Sequence, residues 1–216
     1  MQLGAKPPEF GSIEFDIDMA PVSLQAKSQK RSDFKEFVKN IVEHAGFLLS
    51  GDIKVQIDWF VHEQKRYDTN TSADTDNVIK PLLDALCGPA GIMIDDNQVQ
   101  SVTCSWIDSY EYDCEKVTVT VTFSPDEFVS KDGLAFINMG NQLCMPINET
   151  ISSDHQSTIL NHVHSMIKAR NDFVKSGIDY YQAKMVMSVQ RVFHKARLNE
   201  FTIIDLEDKL ESLKQS

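Results

Sequence analysis

The sequence predicts an α/β fold of the α+β kind: a mixed sheet with flanking helices, followed by a C-terminal helical extension. Three observations predict it. Segments with the two-residue alternation of strands interleave with segments of helical period as far as Phe123. The order that results, β-α-β-α-β-β, is that of a mixed sheet covered by helices. After Pro125 the pattern changes, and residues 150–214 carry helical period throughout.

The elements follow in chain order. In Ile13–Ala20, Ile, Phe and Ile alternate with Glu, Asp and Asp, the period of a half-buried strand. A polar loop follows. Ser32 or Asp33 can then cap a helix with Phe34, Phe37, Val38, Ile41, Val42 and Ala45 on one face, ending near Gly46. Lys54–Glu63 is rich in strand formers, and Gln64–Ala73 has the composition of an exposed loop. A short helix comes next, with Asp76 or Asn77 suited to its N-cap. Proline is tolerated in a first turn, so that turn is expected within Asn77–Pro81. Gly88-Pro89 ends the helix. Gln98–Asp108 and Glu115–Phe123, rich in Val and Thr, are the last two strands. The expected division is a core at residues 1–131 and a helical extension at 132–216. In the extension Ile159, Val163, Met166 and Ile167 share a face, as do Tyr181, Met185, Met187 or Ser188, and Val192.

Charge is unevenly spread. The formal net charge is −11; residues 1–131 hold 12 Lys/Arg against 22 Asp/Glu, and residues 132–216 hold 9 against 10. Two basic stretches stand out locally. Lys27–Lys39 contains five basic residues, among them Lys27, Lys30 and Arg31, with two acids. Ile167–Arg197 contains seven, Lys168, Arg170, Lys175, Lys184, Arg191, Lys195 and Arg197, with two acids. Phosphate affinity follows local patches more than totals, although each stretch also reads as a solvated helix face. No apolar run approaches 18 residues, so no membrane span is expected. The N-terminus has no signal-peptide pattern, and the four cysteines, Cys87, Cys104, Cys114 and Cys144, form neither a CxxC pair nor a zinc ribbon. Both point to a cytoplasmic protein with reduced thiols, in which the Asn70 and Asn148 sequons carry no glycan. No Gly-rich phosphate loop is present, so no nucleotide cofactor is expected.

The chemistry concentrates in SADTDNVIKPLLDALCGPAGIMIDDNQV, Ser72–Val99. Asp74 and Asp76 precede the apolar stripe of the short helix, and Asp95 and Asp96 follow it. In an extended chain residues two apart point the same way, so Asp74 and Asp76 can converge. A strand-loop-helix-loop-strand unit can return the second pair to the first. Converging carboxylates repel, and some stay protonated unless a cation joins them. Mg²⁺ suits the task, because it takes hard oxygen ligands and keeps waters for a substrate phosphate; Mn²⁺ is the natural substitute. The same residues also read as purely structural, with Asp76 a helix cap, Asp74 a turn residue and Asp95-Asp96 a turn before a strand. A calcium loop starting at Asp74 is excluded, since the required Gly and Glu positions hold Ile79 and Ala85. Lys80, one helical turn after Asp76, can reach the same site and hold a phosphate; alternatively it is a surface lysine paired with Asp84 or Asp76. His162 and His164 would point to different faces of a helix, and Trp59 and Trp106 fall in strands as expected core residues.

The stretch DTDNVIKPLLDAL…GIMIDDNQV resembles the signature of the RusA-type Holliday-junction resolvases: D-x-D-N, a lysine three residues after the Asn, D-A-L, then a D-D pair before a strand. The likeness extends over residues 13–125. It implies a homodimeric α/β nuclease that uses Mg²⁺ to nick two strands of branched DNA. By position, Asp74, Asp76 and Asp96 are implied as catalytic, metal-binding acids, with Asp95 as their neighbour. Asn77 is implied as a brace and Lys80 as the essential cation. Lys65 and Arg66 lie where the family places DNA-contacting residues, and Lys27, Lys30 and Arg31 fall in its N-terminal loop and helix. The competing expectation is a binding or regulatory module on a RusA-like core, with recognition carried by residues 132–216 and little or no cleavage.

Overall fold

The computed structural model describes residues 3–68, 74–187 and 192–215. The chain divides into two compact units, Met1–Ser130 and Lys131–Ser216. The Asn70 sequon, Ser72 and Ala73 of the acidic stretch, and Ser188 and Arg191 lie outside the described residues.

The first unit runs β1 (Ser12–Ile17), α1 (Ser28–Val42), β2 (Phe47–Leu49), β3 (Ile53–Val61), α2 (Glu63–Tyr67), α3 (Thr75–Leu86), β4 (Val99–Asp108), β5 (Lys116–Phe123) and β6 (Phe128–Ser130). Four strands form a sheet in the order β1-β5-β3-β4, while β2 pairs with β6. The sheet is mixed, as the alternating patterns predict: β5 is antiparallel to β1 and β3, and β4 is parallel to β3. Register and alternation agree. Ile53, Val55, Ile57, Trp59 and Val61 of β3, Val117, Val119 and Val121 of β5, and Ile13 and Ile17 of β1 are all buried. Their opposite faces carry Lys, Gln, Asp, Glu and Thr. The buried side joins Phe34, Val38 and Val42 of α1 and Val78, Leu82 and Leu86 of α3 in one core. Each such side chain contributes about 1.5–3 kcal/mol by leaving water.

Several boundaries differ from the sequence reading. α1 starts at Ser28, with Lys27 at its N-cap, rather than after Ser32 or Asp33. Asp33 lies inside the helix and accepts from Gln29 Nε2 at 2.7 Å, a pairing one turn apart that supports the extra turn. Part of the expected loop after β3 is the short helix α2, which His62 caps by accepting from the Gln64 amide at 3.1 Å. Residues 128–130, just after the change of pattern at Pro125, form β6.

α3 differs most. It starts at Thr75 with Asp74 as N-cap, two or three residues earlier than expected, and Pro81 therefore lies inside it. An interior proline removes the N–H that would bond the carbonyl four residues back. That carbonyl belongs to Asn77, and it accepts instead from the Leu24 amide at 2.8 Å. The acceptor left by Pro81 thus ties the loop before α1 to the first turns of α3.

The second unit contains β7 (Leu134–Asn138), β8 (Leu143–Asn148), α4 (Ser153–Lys175), α5 (Tyr180–Ala183), β9 (Phe193–His194), β10 (Ile203–Asp205) and α6 (Leu206–Gln215). The helices α4 and α6 were expected. The four-stranded sheet β10-β7-β8-β9 was not. Pro146, paired opposite Phe136 in β8, reads in sequence as a strand breaker, and β9 and β10 are too short to show a period. Ala135, Ile137, Met145 and Ile147 pack with Leu160, Ile167 and Leu206 to form this unit's core.

Replacing Pro81 with Ala restores the helical donor to Asn77, which then competes with Leu24. Hydrogen exchange should show the Leu24 amide exchanging roughly fivefold faster or more, as for a hydrogen bond worth about 1 kcal/mol, with no loss of protection in α3.

Candidate active site on α3

Asp76, Lys80 and Asp84 follow one another at four-residue spacing on α3, one turn apart along the same side of the helix. The Lys80 ammonium donates to Asp84 Oδ1 at 2.7 Å and to Asp96 Oδ2 at 2.5 Å. The first contact lies within the helix. The second reaches across to the segment that returns towards β4, so α3 and the D-D pair do meet, and Lys80 is where they meet. Of the sequence-level alternatives for Lys80, its pairing with Asp84 is observed; so is its approach to an acid of the second pair. Lys80 loses some charge preference through partial burial. The hydrogen bonds to Asp84 and Asp96, with their charges, outweigh that loss and raise its pKa.

The two acids of the D-D pair do different things. Asp95 is the N-cap of a single 3₁₀ turn, Asp96–Gln98, and accepts from the Asn97 amide at 3.1 Å. Gln98 completes a capping box by accepting from the Asp95 amide at 3.0 Å. Asp96, half-buried, is the first residue of that turn and points its carboxylate at Lys80.

The turn is positioned by the chain that precedes it. The amides of Ile92 and Met93 donate to the Leu86 carbonyl at 2.9 and 3.2 Å, and the Gly88 amide donates to Met93 at 3.0 Å. Gly91 lies against the Leu86 carbonyl so closely that any Cβ there would collide with backbone. A bond from the Leu49 amide to Ile92, 2.8 Å, fixes the segment to β2 as well.

Asp74 and Asp76, both exposed, stand before and within the first turn of α3. The two-residue convergence expected of an extended chain does not apply, because Asp76 is already helical. Asn77 is half-buried, and the brace it supplies is its backbone: the carbonyl holds Leu24. That bond brings the loop leading into α1 to the first turns of α3. Lys27, Lys30 and Arg31 are exposed around the N-terminus of α1, the positive end of its dipole. On α2, the Lys65 ammonium pairs with Glu115 at 3.0 Å and lies 4.9 Å from the Tyr112 ring centroid. Its hydrogen bond to Glu115 raises its pKa. Arg66 lies over Trp106, 4.7 Å from the ring centroid, and Trp106 stacks on the buried Trp59 at 4.3 Å.

The donor set suits a hard divalent cation, being made of carboxylate oxygens alone. Among the described residues no three His, Cys, Asp or Glu side chains stand together as a ready ligand set. Magnesium is commonly held by one or two carboxylates together with substrate phosphate, and that mode needs no closed protein cage. The thiol of Cys87, at the C-cap of α3, reports the local field. Burial raises its pKa first, and the charges of Asp96, Asp95 and Asp84 raise it further against the opposing charge of Lys80. Three acids, Asp84, Asp95 and Asp96, thus act on the thiol against one lysine.

Two contributors escape the sequence reading. Asp84 stands there only as a surface partner, although its four-residue spacing from Lys80 is visible. Gln98 has no part in it, although D-x-x-Q is the sequence mark of a capping box. In the second unit, Lys168, Lys175, Lys184 and Arg197 of the basic stretch are exposed, whereas Arg170 is buried and donates to Asn171 Oδ1 at 2.8 Å. Among the described residues no helix is long and apolar enough to cross a membrane.

No curated protein matches the chain. A family model, described as Endodeoxyribonuclease RusA, matches residues 22–122. That span runs from the loop held by Asn77 to the end of β5 and contains α3, Lys80 and the Asp95-Asp96 turn. Within its first unit, the chain is similar to the RusA endodeoxyribonuclease family.

Proposed function

We propose that the chain is a Mg²⁺-dependent, structure-selective endonuclease that resolves four-way DNA junctions by paired nicks. The observation that carries the reading is the contact of Lys80 with both Asp84 of α3 and Asp96 of the D-D pair, inside the span that matches the RusA family model.

Asp74, Asp76 and Asp96 are the residues that would hold the metal, with Mn²⁺ as a substitute, while Asp95 keeps its structural role at the cap. A magnesium ion bound there would lower the pKa of a coordinated water and polarise the phosphoryl oxygen. The chain's own groups do the rest. Lys80, anchored through Asp84, presents an ammonium to the phosphoryl oxygens on which negative charge grows. Hydrolysis adds water across the P–O3′ bond, leaving a 5′-phosphate and a 3′-hydroxyl that a ligase can rejoin. Lys27, Lys30 and Arg31, beside the N-terminus of α1, supply phosphate contacts that position the duplex without reading its sequence. Arg66 stands ready for a further contact, whereas Lys65 would have to share its charge with Glu115. A homodimer would present two such sites to the two-fold symmetry of a junction.

The test is cleavage of a labelled four-way junction, with duplex and flap controls, in Mg²⁺ and in EDTA. Wild-type protein should give symmetric, metal-dependent nicks. Asp76→Asn should reduce the rate by about 100-fold or more, the scale on which single charge-stabilising groups act, with fold and junction binding retained. Full activity in that variant would remove the assignment. Binding without cutting by folded wild-type protein, across several divalent metals, would favour the regulatory alternative. Replacing Lys27, Lys30 and Arg31 together by Gln should flatten the dependence of log K on log salt by about 0.9 for each phosphate these residues neutralise, measured by junction binding at roughly 50 to 200 mM salt.

A further inference from the structure

Gln98 is the one fully buried polar side chain of the first unit's described residues, at 0% exposure. Its amide is saturated. Oε1 accepts from the amides of Ile94 at 2.9 Å and Asp95 at 3.0 Å, and Nε2 donates to the carbonyls of Leu49 at 2.9 Å and Gly51 at 2.8 Å. A primary amide has two donor hydrogens and two acceptor lone pairs, and all four are used. The two halves of the group serve different segments. The oxygen holds the backbone entering the Asp95-Asp96 turn; the nitrogen holds the end of β2 and the residues leading into β3. The loop that receives the amide is itself tethered, the Ser50 amide donating to the Glu127 carbonyl at 2.9 Å. It therefore has little freedom to follow a displaced turn.

We infer that Gln98 is a positioning residue for the reaction: it sets where Asp96 stands relative to Lys80 by locking the Asp95-Asp96 turn to the β2–β3 segment. It touches no reacting group itself. A helix cap or a packed apolar residue could stabilise the turn, but neither would fix its distance from the sheet through bonds in both directions. The inference rests on the reading of Asp96 and Lys80 as working groups of the nuclease site.

The test uses the full chain and three variants. Gln98→Met keeps the length and volume of the side chain and removes every hydrogen bond. Gln98→Glu keeps the acceptor towards Ile94 and Asp95 but sets a carboxylate against the two carbonyls. Val121→Ala, in the buried face of β5, lowers thermal stability without touching the turn. Junction-cleavage turnover and junction affinity are measured separately, and Mg²⁺ binding is measured by calorimetry without DNA. A residue that orients metal ligands typically accounts for about 10–100-fold in metal affinity or activity. Both Gln98 variants should lose turnover on that scale and bind Mg²⁺ about tenfold more weakly, with junction affinity unchanged. Val121→Ala should keep both constants despite a comparable loss of melting temperature. If either folded Gln98 variant keeps wild-type turnover and Mg²⁺ affinity, the inference is overturned. If wild-type protein cuts no branched DNA, the nuclease reading fails, and calorimetry decides this one: weaker Mg²⁺ binding in Gln98→Met upholds it, while equal binding, or none in wild type, overturns it.

Discussion

The ammonium of Lys80 between Asp84 and Asp96 is the contact on which the arrangement around α3 depends. The first unit carries a large excess of acids, and the segment returning to β4 must bring two of them towards a helix that already bears Asp76 and Asp84. Without a cation, that approach is repulsive. Lys80 makes it favourable, and both carboxylates stabilise its charged form. Its pKa is raised in the folded chain, so the stabilisation is present throughout the neutral range. It is lost only as the pH climbs past the ordinary lysine value and through the raised one. The side chain is about half exposed, so the contact organises the site more than it stabilises the fold.

A contact between two side chains defines a site only if both backbones are held. On the helix side the hold is the Asn77 carbonyl, which binds Leu24 and so joins the loop before α1 to α3. On the turn side it is the stitched segment from Leu86 to Met93, together with the amide of Gln98. The two holds come from opposite directions in the sequence and meet at Lys80. The loop joined by the first of them leads into α1, whose first turn and N-cap carry the exposed Lys27, Lys30 and Arg31, a local cluster of cations in a chain of formal net charge −11.

Much of this was legible in the sequence because it rests on spacing. The alternating Val of β5 and the apolar stripe of α3 announced the sheet and the helix, and the order acid, acid, lysine, acid pair pointed to the segments that Lys80 and Asp96 join. What spacing does not show is which local rule gives way. Asp74 and Asp76 looked like neighbours on an extended chain, yet the helix starts between them. Asp95 looked like a candidate ligand or a turn residue, and its carboxylate accepts from the Asn97 amide as the cap of a 3₁₀ turn. The sheet of the second unit was hidden for a related reason: Pro146 sits within β8, and its short partners β9 and β10 leave no period to read.

The departures from local rules are informative in themselves. A proline inside a helix costs about 3 kcal/mol against alanine, and a fully buried polar amide is costly unless every hydrogen bond is made. Pro81 and Gln98 are such exceptions, and each is a near neighbour in sequence of one partner in the ion pair between Lys80 and Asp96. Both are resolved in the same manner. Pro81 leaves an acceptor that Leu24 fills, and Gln98 fills four backbone groups that the loop and turn would otherwise leave to water. Consistent local preferences would have built a straighter helix and a drier core. They would not have tied α3 and the Asp96 turn to fixed points of the sheet and the N-terminal loop, and that connection is what turns a cluster of mutually repelling acids into a site of defined shape.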